Sequence, residues 1–122
     1  MIRGLGCDLC AISRMEKIMA DGRFLHRYFT DGERAYIAAR ARGAQTAAGI
    51  FAAKEALVKA LGTGFAQGIM PEQIEVTHTD SGQPGARLTG AAQARLEQMG
   101  GGRILLSLSH EGDTAIAFAL IQ

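Results

Sequence analysis

Residues 43 to 71 carry only three charges in 29 positions: Lys54, Glu55 and Lys59. The segment reads as a helix over residues 44–61, about 27 Å long at 1.5 Å per residue, with Gly62 as its stop. At 100° per residue, Leu57, Ile50, Leu61, Val58 and Phe51 form one apolar arc, while Ala52, Ala56 and Ala60 occupy the opposite side. Such a helix is expected to be covered on most faces, with the alanines allowing close approach. Charge crowded into it marks a candidate site, because burying charge is costly unless it is paired or given a task. Glu55 and Lys59 sit at the edge of the arc one turn apart. They read either as an i,i+4 ion pair, worth a few tenths of a kcal/mol, or as part of a site. Lys54 points into the middle of the arc, and helix geometry gives it no role.

The surrounding elements are read from pattern and turn chemistry. Residues 2–8 read as a strand ending at Asp8, with Ile2, Gly4, Gly6 and Asp8 on one face. The two glycines on that face leave room for a helix or a ligand. Residues 12–19 form an amphipathic helix with Ser13 or Asp21 marking its ends, and 24–29 a short apolar piece. Thr30 N-caps a helix over residues 31–42, with Glu33 completing a capping box. Strands over 74–79 and 86–88 flank a turn at 80–84. Thr89 caps a further helix that ends at three glycines. Strands over 103–109 and 114–121 flank the hairpin signal Glu111-Gly112-Asp113. The order predicts one α+β domain spanning residues 1–122.

Composition narrows the function classes. A hydrophobic content of 48% without low-complexity runs predicts a compact fold. No apolar stretch reaches the roughly 18 to 20 residues of a membrane span, and the first residues lack a signal-peptide core, so a cytoplasmic location is expected. The net charge of +1 hides an asymmetry: residues 1–45 hold eight Lys/Arg against five Asp/Glu. Arg14, Lys17, Arg23 and Arg27 read either as a solvated helix face or as a patch that steers an acidic partner. Nucleic acid is disfavoured, since the total charge is nearly balanced and few aromatics accompany the basic residues.

Cys7 and Cys10 have CxxC spacing. A zinc site needs about four ligands, and His26, His78 and His110 show no paired spacing to complete one. Asp8, between the thiols, would raise a thiol pKa rather than lower it, so packed or semi-exposed thiols are the preferred reading over a redox or zinc module. Asp8 and Glu55 instead make a hard-oxygen pair. Mg²⁺ takes one or two protein carboxylates and completes its octahedron with waters and substrate phosphates. Gly62-Thr63-Gly64 is a poor phosphate loop by itself, because it comes after the negative end of a helix. His110 shares a strand face with Ile104, Leu106 and Leu108, and by itself reads as a satisfied core or rim residue sooner than as a ligand.

The segments GLGCDLCAISRM (4–15), FAAKEALVKALGTG (51–64), GQP (82–84) and SLSH (107–110) resemble holo-acyl-carrier-protein synthases, the small single-domain phosphopantetheinyl transferases. The resemblance runs over nearly the whole chain, in order and spacing. It implies that family's fold, a mostly antiparallel sheet packed on a long central helix. The implied activity is transfer of 4′-phosphopantetheine from coenzyme A to a serine of an apo acyl carrier protein, as in fatty acid biosynthesis, releasing 3′,5′-ADP. It further implies Mg²⁺ between Asp8 and Glu55, and Lys59 on the reacting phosphate or leaving group. The general base stays open among Glu55, a metal-bound water and Lys59. Gly62, Thr63, Gln83, Pro84 and His110 match positions of the coenzyme A pocket, and Arg14, Arg23 and Arg27 match the region that receives the acidic helix of the carrier. The resemblance implies a homotrimer with sites between subunits. One departure stands out: Ile50 replaces the arginine of the usual RFAxKEA, which predicts weaker coenzyme A binding or altered partner use. A weakly active paralogue that mainly binds carrier protein or coenzyme A is therefore the alternative.

Overall fold

The computed structural model describes all 122 residues. Its centre is α4 (Gly43–Leu61), lying across a three-stranded sheet. The strands β1 (Gly4–Ala11), β4 (Ile104–Glu111) and β5 (Thr114–Ile121) form that sheet in the order β1-β5-β4. All are antiparallel, with Cys7 opposite Phe118 and Phe118 opposite Ser107. Period-2 alternation turns Ala115, Ala117, Ala119 and Ile121 of β5 toward α4, where all four are buried. On β1 the same face carries Gly4 and Gly6. A Cβ at Gly4 would lie 2.1 Å from the Ala60 carbonyl oxygen, and one at Gly6 would lie 1.9 Å from that of Ala56. Glycine on the strand and alanine on the helix are thus two halves of one close approach, which brings the side chains that come after each of them together.

The other elements wrap the remaining faces of α4. Helices α1 (Ile12–Met19), α2 (Gly22–Tyr28) and α3 (Asp31–Ala38) precede it. A 3₁₀ turn over Pro71–Gln73, a two-stranded antiparallel sheet of β2 (Ile74–His78) and β3 (Pro84–Leu88), and α5 (Gly90–Gln98) come after it. The architecture is the expected α+β arrangement, a mostly antiparallel sheet on a long central helix. No helix is long and apolar enough to cross a membrane.

Four local expectations change. First, β1 continues three residues beyond Asp8, because its ladder with β5 runs on to Ala11 opposite Thr114; Asp8 is a mid-strand residue. Second, residues 24–29 belong to helix α2 and its C-cap, and the N-cap Asp21 accepts from the Arg23 amide. Third, α3 ends at Ala38 rather than near Arg42, with the Arg40 amide closing back on the Ile37 carbonyl as the chain turns into α4. Fourth, Thr89 makes no side-chain cap; Gln73 Oε1 instead accepts from the Ala92 amide. The Thr30 capping box and the left-handed stop at Gly62, with φ at 80°, stand as expected.

The far side of the large sheet has no cover within the chain. Leu5, Leu9 and Phe118 are 65%, 60% and 48% exposed, and Leu105 lies on the same face. Cys7 sits on this face, whereas Cys10 is buried on the other. Three residues apart in an extended strand, the two are about 10 Å apart, beyond disulfide reach. No cluster of three or more His, Cys, Asp or Glu side chains suits a metal. Cys10 packs in the core while Cys7 stays partly exposed, and burial raises the Cys10 pKa.

Candidate active site

Asp8 comes to α4 because β1 and the alanine face of the helix meet so closely. Lys59 Nζ donates to Asp8 Oδ1 at 3.0 Å and to the Cys7 carbonyl at 3.0 Å. The hydrogen bond and charge of Asp8 raise the pKa of the Lys59 ammonium. Of the two readings left open by the sequence, the i,i+4 pair does not form: Lys59 turns to the strand and leaves Glu55 to another partner. That partner is Tyr28, whose hydroxyl donates to Glu55 Oε1 at 2.9 Å. Burial, then the carboxylates of Glu55 and Asp8, push the Tyr28 phenol well above its ordinary range, so it remains a donor.

Asp8 and Glu55 therefore bear on one phenol from two elements, with Lys59 beside them. Asp8 Oδ2 and Glu55 Oε2 accept no hydrogen bond from within the chain. Two carboxylates, each with a free oxygen and neither enclosed in a ligand cage, fit a hard cation that completes its shell with water and phosphate oxygens. Thr63 and Gly62 lie one turn beyond Lys59, at the end of the helix.

The remaining residues expected to hold coenzyme A are elsewhere in the chain. His110 Nε2 is 3.2 Å from Gln45 Nε2, at the start of α4. Gln45 and Gly62 are separated by about 26 Å of helix. His110 and Ile50 line a cavity of ≈ 170 Å³ with Tyr36, Arg40, His78 and Gly82. Gln83 and Pro84 come directly after Gly82, and Pro84 pairs with His78. One chain thus holds two half-sets at opposite ends of one helix. Ile50 is 1% exposed. Arg14, Arg23 and Arg27 are exposed on α1 and α2; Arg23 is engaged by Asp21 at 2.9 Å.

Sequence reasoning left Lys54 without a role and missed Tyr28. Lys54 is 0% exposed and donates to Glu33 Oε1 and to the Tyr28 carbonyl, each at 2.7 Å. Its ammonium also lies 5.1 Å and 5.5 Å from the ring centroids of Tyr28 and Phe29. Glu33 is equally buried, and its other bonds come from the Thr30 and Val76 amides. Burial lowers the Lys54 pKa and Glu33 opposes that. The available signal was the capping-box glutamate: a carboxylate on a half-apolar helix and a lone lysine in an apolar arc each need a partner.

A family model described as the 4′-phosphopantetheinyl transferase superfamily matches residues 4–119. A holo-acyl-carrier-protein synthase of Azorhizobium caulinodans is 46% identical over all of this chain and 94% of its own length. The crystal structure of the Neisseria meningitidis holo-acyl-carrier-protein synthase superposes with a TM-score of 0.89 at 32% identity, covering 100% of this chain and 99% of that one. The Bacillus anthracis holo-acyl-carrier-protein synthase, solved in complex with coenzyme A (3′,5′-ADP), gives a TM-score of 0.81 at 32% identity over 99% and 96%. By sequence and by fold, the chain belongs to the 4′-phosphopantetheinyl transferase superfamily.

Proposed function

We propose that this chain is a single transferase domain, residues 1–122, that moves 4′-phosphopantetheine from coenzyme A to a serine hydroxyl of an apo acyl carrier protein. The carrier serine oxygen bonds to the phosphorus on the pantetheine side. The bond from that phosphorus to the bridging oxygen breaks, and 3′,5′-ADP leaves with that oxygen. The serine proton passes to a base at the site. The nucleophile belongs to the carrier, which agrees with a site that has no activated serine or cysteine of its own. The observation that carries the reading is the convergence of Asp8, Glu55 and Lys59 beside the helix stop. Asp8 Oδ2 and Glu55 Oε2 are the atoms that would hold Mg²⁺, which when bound neutralises pyrophosphate charge. Lys59, fixed by Asp8 and the Cys7 carbonyl, offers an ammonium to the oxygen on which charge accumulates.

Coenzyme A is assigned to Lys59, Gly62 and Thr63 of one subunit and to Gln83, Pro84 and His110 of a neighbour. Two features support that division: the separation of the half-sets along α4, and the uncovered apolar face of the sheet, which favours self-association. The number of copies, three, comes from the family resemblance. Arg14 and Arg27, with Arg23 beside them, are assigned to the acidic carrier surface, and the reaction to the cytoplasm. The weakly active alternative rests on Ile50, which brings no cation to the cavity near His110. Arg40 lines the same cavity, and this favours the active enzyme. The test is direct: purified protein, Mg²⁺, coenzyme A and apo carrier proteins, read by intact mass. One added phosphopantetheine is expected, abolished by a chelator. Failure to modify any carrier protein would refute the reading.

A further inference from the structure

We infer that Tyr28 is a positioning residue for Glu55, holding one carboxylate oxygen so that the other is presented to a divalent cation beside Asp8. The inference rests on the proposed reading of that site and adds to it a residue that the sequence did not single out. Tyr28 is the last residue of α2, far in sequence from either carboxylate. Its ring packs in one cluster with Phe24, at 5.3 Å and 11°, and Phe51, at 4.8 Å and 26°, which also meet each other at 6.2 Å. Its carbonyl accepts from the buried Lys54 ammonium at 2.7 Å. Ring and backbone are thus both fixed before the hydroxyl does anything. From that fixed position the hydroxyl reaches Glu55 Oε1 at 2.9 Å.

Glu55 lies at the edge of α4, and no other hydrogen bond holds its carboxylate. A carboxylate held at one oxygen by a rigid donor offers the second as a single ligand in a defined direction, and losing such support typically weakens metal binding. The residues form one continuous path from core to site. Glu33 fixes Lys54, Lys54 fixes Tyr28, and Tyr28 fixes Glu55. In the competing structural account the hydroxyl merely finds an acceptor for a half-buried phenol. Removing the hydroxyl alone separates the two, since only a positioning role ties it to cation affinity.

The test uses the full chain with Mn²⁺ as the probe, titrated in the presence of coenzyme A and monitored by electron paramagnetic resonance and calorimetry. Tyr28→Phe keeps the ring and its stacking. Roughly tenfold or weaker Mn²⁺ binding is expected, with the melting temperature close to that of the parent. In a Glu55→Gln background, removing the hydroxyl should have no additional effect on Mn²⁺ affinity. Equal affinity of Tyr28→Phe and the parent would overturn this inference alone. If neither Asp8→Asn nor Glu55→Gln weakens Mn²⁺ binding, the carboxylates are not the cation site, and the reading beneath this inference falls with it.

Discussion

Lys54 and Lys59 stand five residues apart on the same helix and serve opposite ends. Lys54 is fully enclosed, with Glu33, the Tyr28 carbonyl and two aromatic rings around its ammonium. The Lys59 side chain is 53% exposed and meets only Asp8 and the Cys7 carbonyl. Five residues turn the helix by about 140°, so one lysine faces the α2–α3 layer and the other the strand. A charge whose partners are all supplied by the fold belongs to the fold. A charge left partly open beside two carboxylates with free oxygens is available to a substrate.

The sharpest way to break that comparison is to remove each ammonium in turn. Lys54→Met leaves Glu33 buried and uncompensated and should cost about 3–5 kcal/mol of stability in denaturant unfolding. Lys59→Met should stay within about 0.5 kcal/mol of the parent. Its effect should fall on turnover, which drops by about 10² to 10³ when one donor aimed at developing charge is lost. If Lys59→Met proves as destabilising as Lys54→Met, the division between structural and chemical lysine is wrong.

The same pair explains what could be seen from sequence. The long helix, its glycine stop, the capping box at Thr30 and the strand pairs were legible because each is a local signal: periodicity, a φ-permissive residue, a reciprocal cap. Asp8, Glu55 and Lys59 were legible as residues, but their mutual arrangement was not. The i,i+4 rule favoured Glu55 with Lys59, whereas the glycine-to-alanine contact between β1 and α4 brings Asp8 within 3.0 Å of Lys59 instead. Tyr28 escaped notice for a related reason. It sits in a segment that read as a short apolar piece, and its value depends on a helix residue 27 positions later. Pairing across elements depends on tertiary packing, which no local pattern encodes.

The two faces of the large sheet repeat the contrast on a larger scale. The face toward α4 is closed by alanine and isoleucine, whereas Leu5, Leu9 and Phe118 leave the other face open. Phe118→Glu puts a charge at the centre of that open face without touching either half-set of site residues. It is expected to shift the proposed assembly to monomers in sedimentation at micromolar concentration. Transfer activity should fall in parallel, because the half-sets are proposed to complete each other across subunits. A fully active monomer would show that one chain suffices.

The smallest effect is expected at the cavity near His110, where His78 stacks on Tyr36 with ring centroids 3.9 Å apart and planes 7° from parallel. Arg40 lies 5.2 Å from the same Tyr36 ring. Burial, and then the charge of Arg40, hold the His78 pKa below its ordinary value of 6.5. Glu75, on the same strand, and Asp80, in the turn that follows it, line the neighbouring cavity with His78. The unfolded chain binds the proton near pH 6.5 and the folded chain only below it, so between the two values the unfolded state carries more protons. Stability should therefore decline as pH falls through and below 6.5. His78→Phe keeps an aromatic ring on Tyr36 and removes the titration, so its denaturation midpoint should fall less over that interval. An identical pH slope in the parent and His78→Phe would assign the acid sensitivity to other groups and leave this stack with a packing role alone.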